Sequence, residues 1–202
     1  MKHEAWGRWA ELLELTITPD QVSTLERYET LLSERAVPFG MVASGDQGQL
    51  RERHLVDSVR AAGLLGASGE IVADLGTGAG LPGIPLSIVR PDLRFHLVDV
   101  RRKRVAFVEL VVDTLGLRNV VVVQRPIERL ATSFDVCLAR ALADPIRAWE
   151  MAEPRLSATG KLLYWAGRGF RAAGGTPDGV HISVSVNAGL ADAGPVVIMT
   201  RQ

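Results

Sequence analysis

Apolar residues recur every three to four positions through Trp6, Trp9, Leu12, Leu13 and Leu15, and again from Val22 through Leu25, Tyr28, Leu31 and Leu32 to about Ala36. This spacing predicts two amphipathic helices separated at Pro19-Asp20. Residues 39–49 carry three glycines and read as a loop, and Leu50 to Ala62 returns to helical spacing until Gly63 ends it. After Gly69 the period changes. Short β-branched runs predict strands at Ile71–Leu75, Arg94–Val98, Asn119–Gln124, Phe134–Ala139 and Lys161–Trp165, with helices predicted at Pro82–Val89, Lys103–Leu115 and Pro145–Glu153. Two last runs, His181–Val186 and Pro195–Thr200, have no helix between them and are expected to pair antiparallel at the sheet edge, after a glycine-rich connection over 167–179. The expected fold is α/β, a mostly parallel seven-stranded sheet over 64–202, with a helical extension over 1–63.

With 202 residues, 47% apolar and 23% charged, the chain has enough apolar material for one core. Its single cysteine, Cys137, excludes an internal disulfide and a cysteine-rich metal site, and His3, His54, His96 and His181 lack ligand spacing, so no metal is expected. Charges interrupt the N-terminus and no run is long enough to span a bilayer, so a cytoplasmic protein without membrane contact is expected. The formal charge is zero but unevenly spread. Residues 1–50 carry four basic and eight acidic side chains, while 51–202 carry 19 and 15. The basic excess centres on Arg101, Arg102, Lys103 and Arg104, with Arg51 and Arg53 before it, and reads either as solvated surface or as a phosphate-binding face.

The chemistry concentrates in Asp74-Leu75-Gly76-Thr77-Gly78-Ala79-Gly80-Leu81-Pro82-Gly83-Ile84-Pro85, where a strand runs into closely spaced glycines and then a helix. Such a turn lets a nucleotide-type ligand approach the backbone. Gly78 to Gly83 matches a dinucleotide GxGxxG, which leaves a nicotinamide-dependent dehydrogenase open. Pro82 and Pro85, however, remove N–H donors that a pyrophosphate would use. Asp74 suits instead a ligand with an ammonium group. Asp99, at the end of the next strand, is placed to accept ribose hydroxyls or to cap the helix beginning near Arg101. After the third strand, the segment containing Ile127 and Glu128 is placed to meet an adenine edge.

These features resemble a class I S-adenosylmethionine-dependent methyltransferase and, more narrowly, the RsmG or GidB family of 16S ribosomal RNA guanine-N7 methyltransferases. The likeness is carried by Arg53-His54-Leu55-Val56-Asp57-Ser58, by residues 74–86, by Arg101 to Arg104 with Phe107, and by Leu138-Ala139-Arg140-Ala141-Leu142-Ala143. The resemblance implies a Rossmann-like fold and methyl transfer from S-adenosyl-L-methionine to N7 of one guanosine in the 530-loop region of 16S ribosomal RNA; the zero net charge points to the assembled small ribosomal subunit as the substrate, and a monomer is expected. Other RNA guanosines and a non-catalytic RNA-binding role stand as alternatives. It implies cofactor contacts by Asp74, Gly76, Gly78, Gly80, Leu81, Asp99, Ile127 and Glu128, and places Arg140 in the active centre as a positioning cation, also able to anchor the cofactor. RNA contacts are expected from Arg51, Arg53, His54, Arg101, Arg102, Lys103, Arg104 and Arg168. For His54 the other reading is a structural hydrogen bond to Asp57 or Asp99, and for Arg140 a pair with Asp144 or Asp135. The tryptophans are expected in the core and Cys137 inert. Two segments depart from the family: Gly40-Met41-Val42 replaces Asn-Leu-Thr, and Ala166-Gly167 replaces Lys-Gly, with Arg168 nearby.

Guanine N7 offers an in-plane lone pair, so attack on the sulfonium methyl needs no deprotonation. No general base is expected, only in-line placement and exclusion of water.

Overall fold

A computed structural model describes residues 2–170, 178–186, 190 and 193–202. Seven strands form one sheet: β1 Ile71–Leu75, β2 Arg94–Asp99, β3 Val120–Gln124, β4 Phe134–Arg140, β5 Leu156–Trp165, β6 Val180–Ser185 and β7 Val196–Arg201, in the order β3-β2-β1-β4-β5-β7-β6. The first five run parallel, and β7 lies antiparallel between β5 and β6. The expected antiparallel edge is therefore present, with the last strand inside it. Strand β1 lies at the centre of the sheet and is almost wholly buried; its side chains are apolar except for Asp74.

Helices α1 Lys2–Leu12 and α2 Pro19–Leu31 precede the sheet. Thr18 and Gln21 form a reciprocal capping box that starts α2, and the Gln21 amide donates to the Ile88 carbonyl at 2.9 Å, docking α2 on the helix after β1. Val22, Leu25 and Tyr28 line one stripe of α2 and, with Leu32 just after it, share a single core with Leu86, Phe107, Val108 and Val111. Burying each such side chain contributes roughly 1.5–3 kcal/mol. The N-terminal segment therefore completes one face of the sheet.

The segment expected as a regular helix over Leu50–Ala62 differs in structure. It forms a π-helical turn at Arg51–Val56, a short α-helical turn, α3, at Asp57–Val59, and a 3₁₀ turn at Ala62–Leu64. Tertiary bonds that periodicity does not register hold this segment: Arg140 donates to the Arg53 carbonyl at 2.8 Å within the wider turn, and beyond it the Trp165 indole donates to the Asp57 carbonyl at 2.9 Å and Arg60 to the Gly194 carbonyl at 2.7 Å. Helices α4 Gly83–Val89, α5 Arg102–Leu115 and α6 Pro145–Ala152 follow β1, β2 and β4, α5 ending at a left-handed Gly116. Most of the connection expected to be irregular after β5, residues 171–177, lies outside the described residues. No helix among the described residues is long and apolar enough to cross a membrane.

Candidate functional site

Parallel register brings the chemistry together. Leu75 lies opposite Val98 and Ala139, so Gly76, Asp99 and Arg140, each one residue further on, reach the same level at the carboxyl ends of β1, β2 and β4. Chain connections leave β1 toward β2 on one side and return to β4 on the other, which opens a crevice where open α/β sheets bind ligands.

The turn after β1 is built around Asp74. Its Oδ2 accepts from the Thr77 hydroxyl at 2.6 Å and from the Gly83 N–H at 2.9 Å, pulling both ends of the loop onto one carboxylate. A side chain at Gly83 would run into that oxygen and into Leu97, so the closure requires glycine. The Oδ1 atom is buried with no hydrogen-bond partner among the described residues. Burial pushes the Asp74 carboxyl up to about 6, against the lowering effect of its two hydrogen bonds. Gly76 has φ +71°, and a Cβ there would meet Leu142 Cδ1 at 2.6 Å, so Leu142 packs directly on the turn.

Asp99 is 4% exposed, and Oδ2 accepts from Gly78 N–H at 3.1 Å while Oδ1 accepts from Arg101 N–H at 2.8 Å. Arg101, not Asp99, occupies the cap position of α5. Arg104 approaches Asp99 Oδ2 at 3.4 Å, a loose contact that leaves lone-pair capacity on the carboxylate. Gln124 lies opposite Asp99, and the short turn Ile127–Arg129 follows, with Ile127 buried and Glu128 exposed. Val100, beside Asp99, is 57% exposed and adds an apolar surface that sequence reasoning did not single out.

Arg140 ends β4 at the wall of a cavity of about 760 Å³, lined among others by Trp9, Asp46, Arg53, His54, Trp165 and Arg168. Its Nη2 donates to the Arg53 carbonyl at 2.8 Å and to His54 Nδ1 at 3.1 Å, and its Nη1 lies 3.3 Å from Asp57 Oδ2. Burial pulls the Arg140 guanidinium below its ordinary range, against the raising effect of Asp57. The pairing with Asp144 or Asp135 does not form: Asp144 caps α6, and Asp135 accepts from Ile71 N–H and the Ser157 hydroxyl. His54 pairs with Asp46 and Arg140 rather than with Asp57 or Asp99.

The expected RNA-facing cations divide. Arg101, Arg102, Lys103 and Arg168 are exposed, and Arg53 is 48% exposed although paired with Asp46. Arg51 turns inward to Glu29 at 2.7 Å and lies over the Trp6 ring, so it braces the extension. Trp6, Trp149 and Trp165 are buried, while Trp9 is partly exposed at the cavity. Cys137 is buried, which pushes its thiol upward.

Tyr28 belongs to the site without having been expected there. From α2 its fully buried hydroxyl donates to the Ala79 carbonyl at 2.8 Å, supporting the glycine turn from behind. The signal was available: a phenol on the buried stripe of a helix needs a partner. Tyr28→Phe is expected to lose about 1 kcal/mol of stability and to weaken cofactor binding roughly fivefold. Parallel thermal melts and calorimetric titrations measure both, and unchanged affinity in a destabilised variant would show that Tyr28 supports only the fold.

Sheet order, turn and crevice together define a Rossmann-like class I methyltransferase fold. A SAM dependent methyltransferase from Aquifex aeolicus has the same fold, with TM-score 0.55 and 20% identity over 77% of this chain and 95% of that one. The chain belongs to the GidB family, rRNA small subunit methyltransferase G, whose model matches residues 21–172. Its relative from Methylococcus capsulatus, Ribosomal RNA small subunit methyltransferase G, is 41% identical over 168 residues, covering 82% of this chain and 81% of the relative. The protein of that name from Mycobacterium avium is 38% identical over 159 residues, covering 76% of this chain; the match spans only 63% of the relative's length. Membership in this family leaves the dehydrogenase reading of Gly78 to Gly83 without support.

Proposed function

We propose that the chain transfers a methyl group from S-adenosyl-L-methionine to N7 of a guanosine in the 530-loop region of 16S ribosomal RNA, with the small ribosomal subunit as partner. The observation that carries this reading is the level placement of Gly76, Asp99 and Arg140 at three adjacent strand ends, between a glycine turn and a cavity large enough for a base. The residues fit the cofactor. Among the described residues buried Asp74 Oδ1 lacks a partner, as an acceptor for an ammonium group would; Asp99 has lone-pair capacity for ribose hydroxyls beside its loose Arg104 contact, and Val100 with Ile127 offers an apolar edge for adenine.

When bound, the cofactor supplies an electrophilic methyl group. The protein's part is placement. Arg140 is suited to hold guanine O6 through one N–H; a bidentate grip on O6 and N7 would cover the atom that must react. The cavity walls Trp9 and Trp165 provide apolar surface for a base drawn out of its stack. Neither task requires proton removal by the enzyme.

Arg102, Lys103 and Arg104 occupy the first turn of α5, where the helix dipole disfavours cations by roughly 0.3–1 kcal/mol each. Phosphate binding gives this placement a reason. Replacing Arg101, Arg102 and Lys103 together with alanine should weaken RNA binding uniformly across sequences and reduce the salt-dependence slope by about 2. An unchanged slope in filter-binding titrations would remove this face from the interface.

The function is tested by incubating small subunits from a strain lacking the gene with labelled S-adenosyl-L-methionine and mapping the modified nucleotide. N7-methylguanosine at one 530-loop position is expected. Methylation elsewhere favours another guanosine substrate, and RNA binding without transfer favours the non-catalytic alternative.

A further inference from the structure

Asp46, in the 3₁₀ turn Ser44–Gln49, is the residue whose contacts exceed what the cofactor turn and RNA face explain. Its Oδ2 lies 2.9 Å from His54 Nε2, and its Oδ1 lies 2.5 Å from Arg53 Nη1. On the other side of the imidazole, His54 Nδ1 lies 3.1 Å from Arg140 Nη2. Chemistry assigns the tautomer. A guanidinium can only donate, so Nδ1 must present its lone pair; an ionised carboxylate can only accept, so Nε2 must carry the proton. Carboxylate, neutral imidazole and guanidinium thus form one polarised chain ending at the cavity wall.

We propose that Asp46 and His54 are a positioning pair for Arg140: Asp46 selects the Nε2–H tautomer of His54, whose Nδ1 lone pair fixes the guanidinium that faces the methyl acceptor. This inference rests on the methyl-transfer reading. It extends that reading by giving His54 a role through Arg140 in place of direct RNA contact, and by adding a residue with no assigned part in the site.

The arrangement behaves as a one-way pH device. Protonation of His54 replaces the Nδ1 acceptor with a donor pointing at a cation, so Arg140 must move away. Among the described residues, the charged groups at the ring or at the cavity it lines are Asp46 from its turn, Glu52, Arg53 and Asp57 from the same segment, Arg140 from β4, and Arg168 from the connection after β5. Burial holds the imidazole below its ordinary range, helped by Arg140 and Arg53 and opposed by Asp46. The neutral form therefore dominates at pH 7, and the chain breaks only on acidification.

The test uses the full chain and small subunits lacking the modification, at saturating cofactor. His54→Ala should lower kcat about 30-fold with little change in the KM for S-adenosyl-L-methionine. His54→Asn, which places an amide oxygen near the position of Nδ1, should recover most of that loss and abolish the acid limb of the kcat profile. Asp46→Asn should lower the plateau severalfold and move the acid limb to lower pH, because the carboxylate that stabilises the imidazolium is gone. Equal losses in His54→Ala and His54→Asn, or an acid limb unmoved by Asp46→Asn, would overturn the pair. Nitrogen NMR of the His54 ring reads the tautomer without turnover: Nε2–H with unprotonated Nδ1 at pH 7.5 is expected, and Nδ1–H or a charged ring at that pH refutes it. Absent turnover by wild-type protein would count against the methyl-transfer reading, while the ring spectrum would still decide the tautomer.

Discussion

Arg140→Ala is expected to lower kcat for methyl transfer by about 10²–10³-fold, the scale associated with losing one preorganised polar group at a reacting centre. The guanidinium is held by three groups from the Arg51–Val56 turn and α3, and the glycine turn proposed to hold the cofactor lies on the neighbouring strand end. Binding of S-adenosyl-L-methionine should therefore change little. Removing the side chain also leaves Asp57 Oδ2 without its 3.3 Å partner, although Arg60 still pairs with Oδ1 at 2.8 Å. A moderate stability loss of roughly 1–3 kcal/mol accompanies this, so activity must be compared at a temperature where both proteins are folded. Arg140→Lys separates charge from shape: one ammonium cannot reach the Arg53 carbonyl, His54 and Asp57 together, and recovery beyond about tenfold would argue that charge alone suffices. Near-wild-type turnover of Arg140→Ala on small subunits would falsify its role in the active centre.

The same residue shows what the chain discloses before folding and what it does not. Its position at a strand end, and the presence of Asp74, the glycines and Asp99 at other strand ends, follow from local periodicity and turn chemistry. Parallel register then brings them level almost automatically. The partners of Arg140 are another matter, since Arg53, His54 and Asp57 lie over 80 residues away in a segment whose spacing imitates an ordinary helix. The wider π-helical turn at Arg51–Val56 is selected by tertiary bonds, and no local period encodes it. Arg51 illustrates the complementary case: a basic residue in a basic stretch suggests RNA contact, while the fold pairs it with Glu29 and sets it over the Trp6 ring. Asp46, in a glycine-rich stretch that reads as loop, carries no signal until His54 and Arg53 close on it.

Asp74 supplies the second large effect, in cofactor affinity. Its folded-state value near 6 exceeds the ordinary carboxylate value of 3.8, with burial as the leading cause. A raised value means the folded protein holds the proton more tightly than the unfolded chain. The stabilising contribution is fully present below about pH 4 and is lost as pH rises through about 6. A cationic group placed against Oδ1 reverses the preference, because the ammonium favours the ionised carboxylate. Binding at pH 6 should accordingly release a fraction of a proton, whereas binding at pH 7 should release almost none. Affinity should fall as pH is lowered from 7 to 5, approaching tenfold per unit below the folded-state value; this window lies below the titration of the cofactor's own α-amino group. Asp74→Asn keeps an acceptor oxygen for Thr77 and Gly83 but not the charge, and should weaken binding by about 10–100-fold while abolishing the proton release. Calorimetry at pH 6 in buffers of different ionisation enthalpy measures both quantities. Buffer-independent heats in the wild type, or unchanged affinity in Asp74→Asn, would place the ammonium group away from this carboxylate and leave Asp74 as the clasp of the glycine turn.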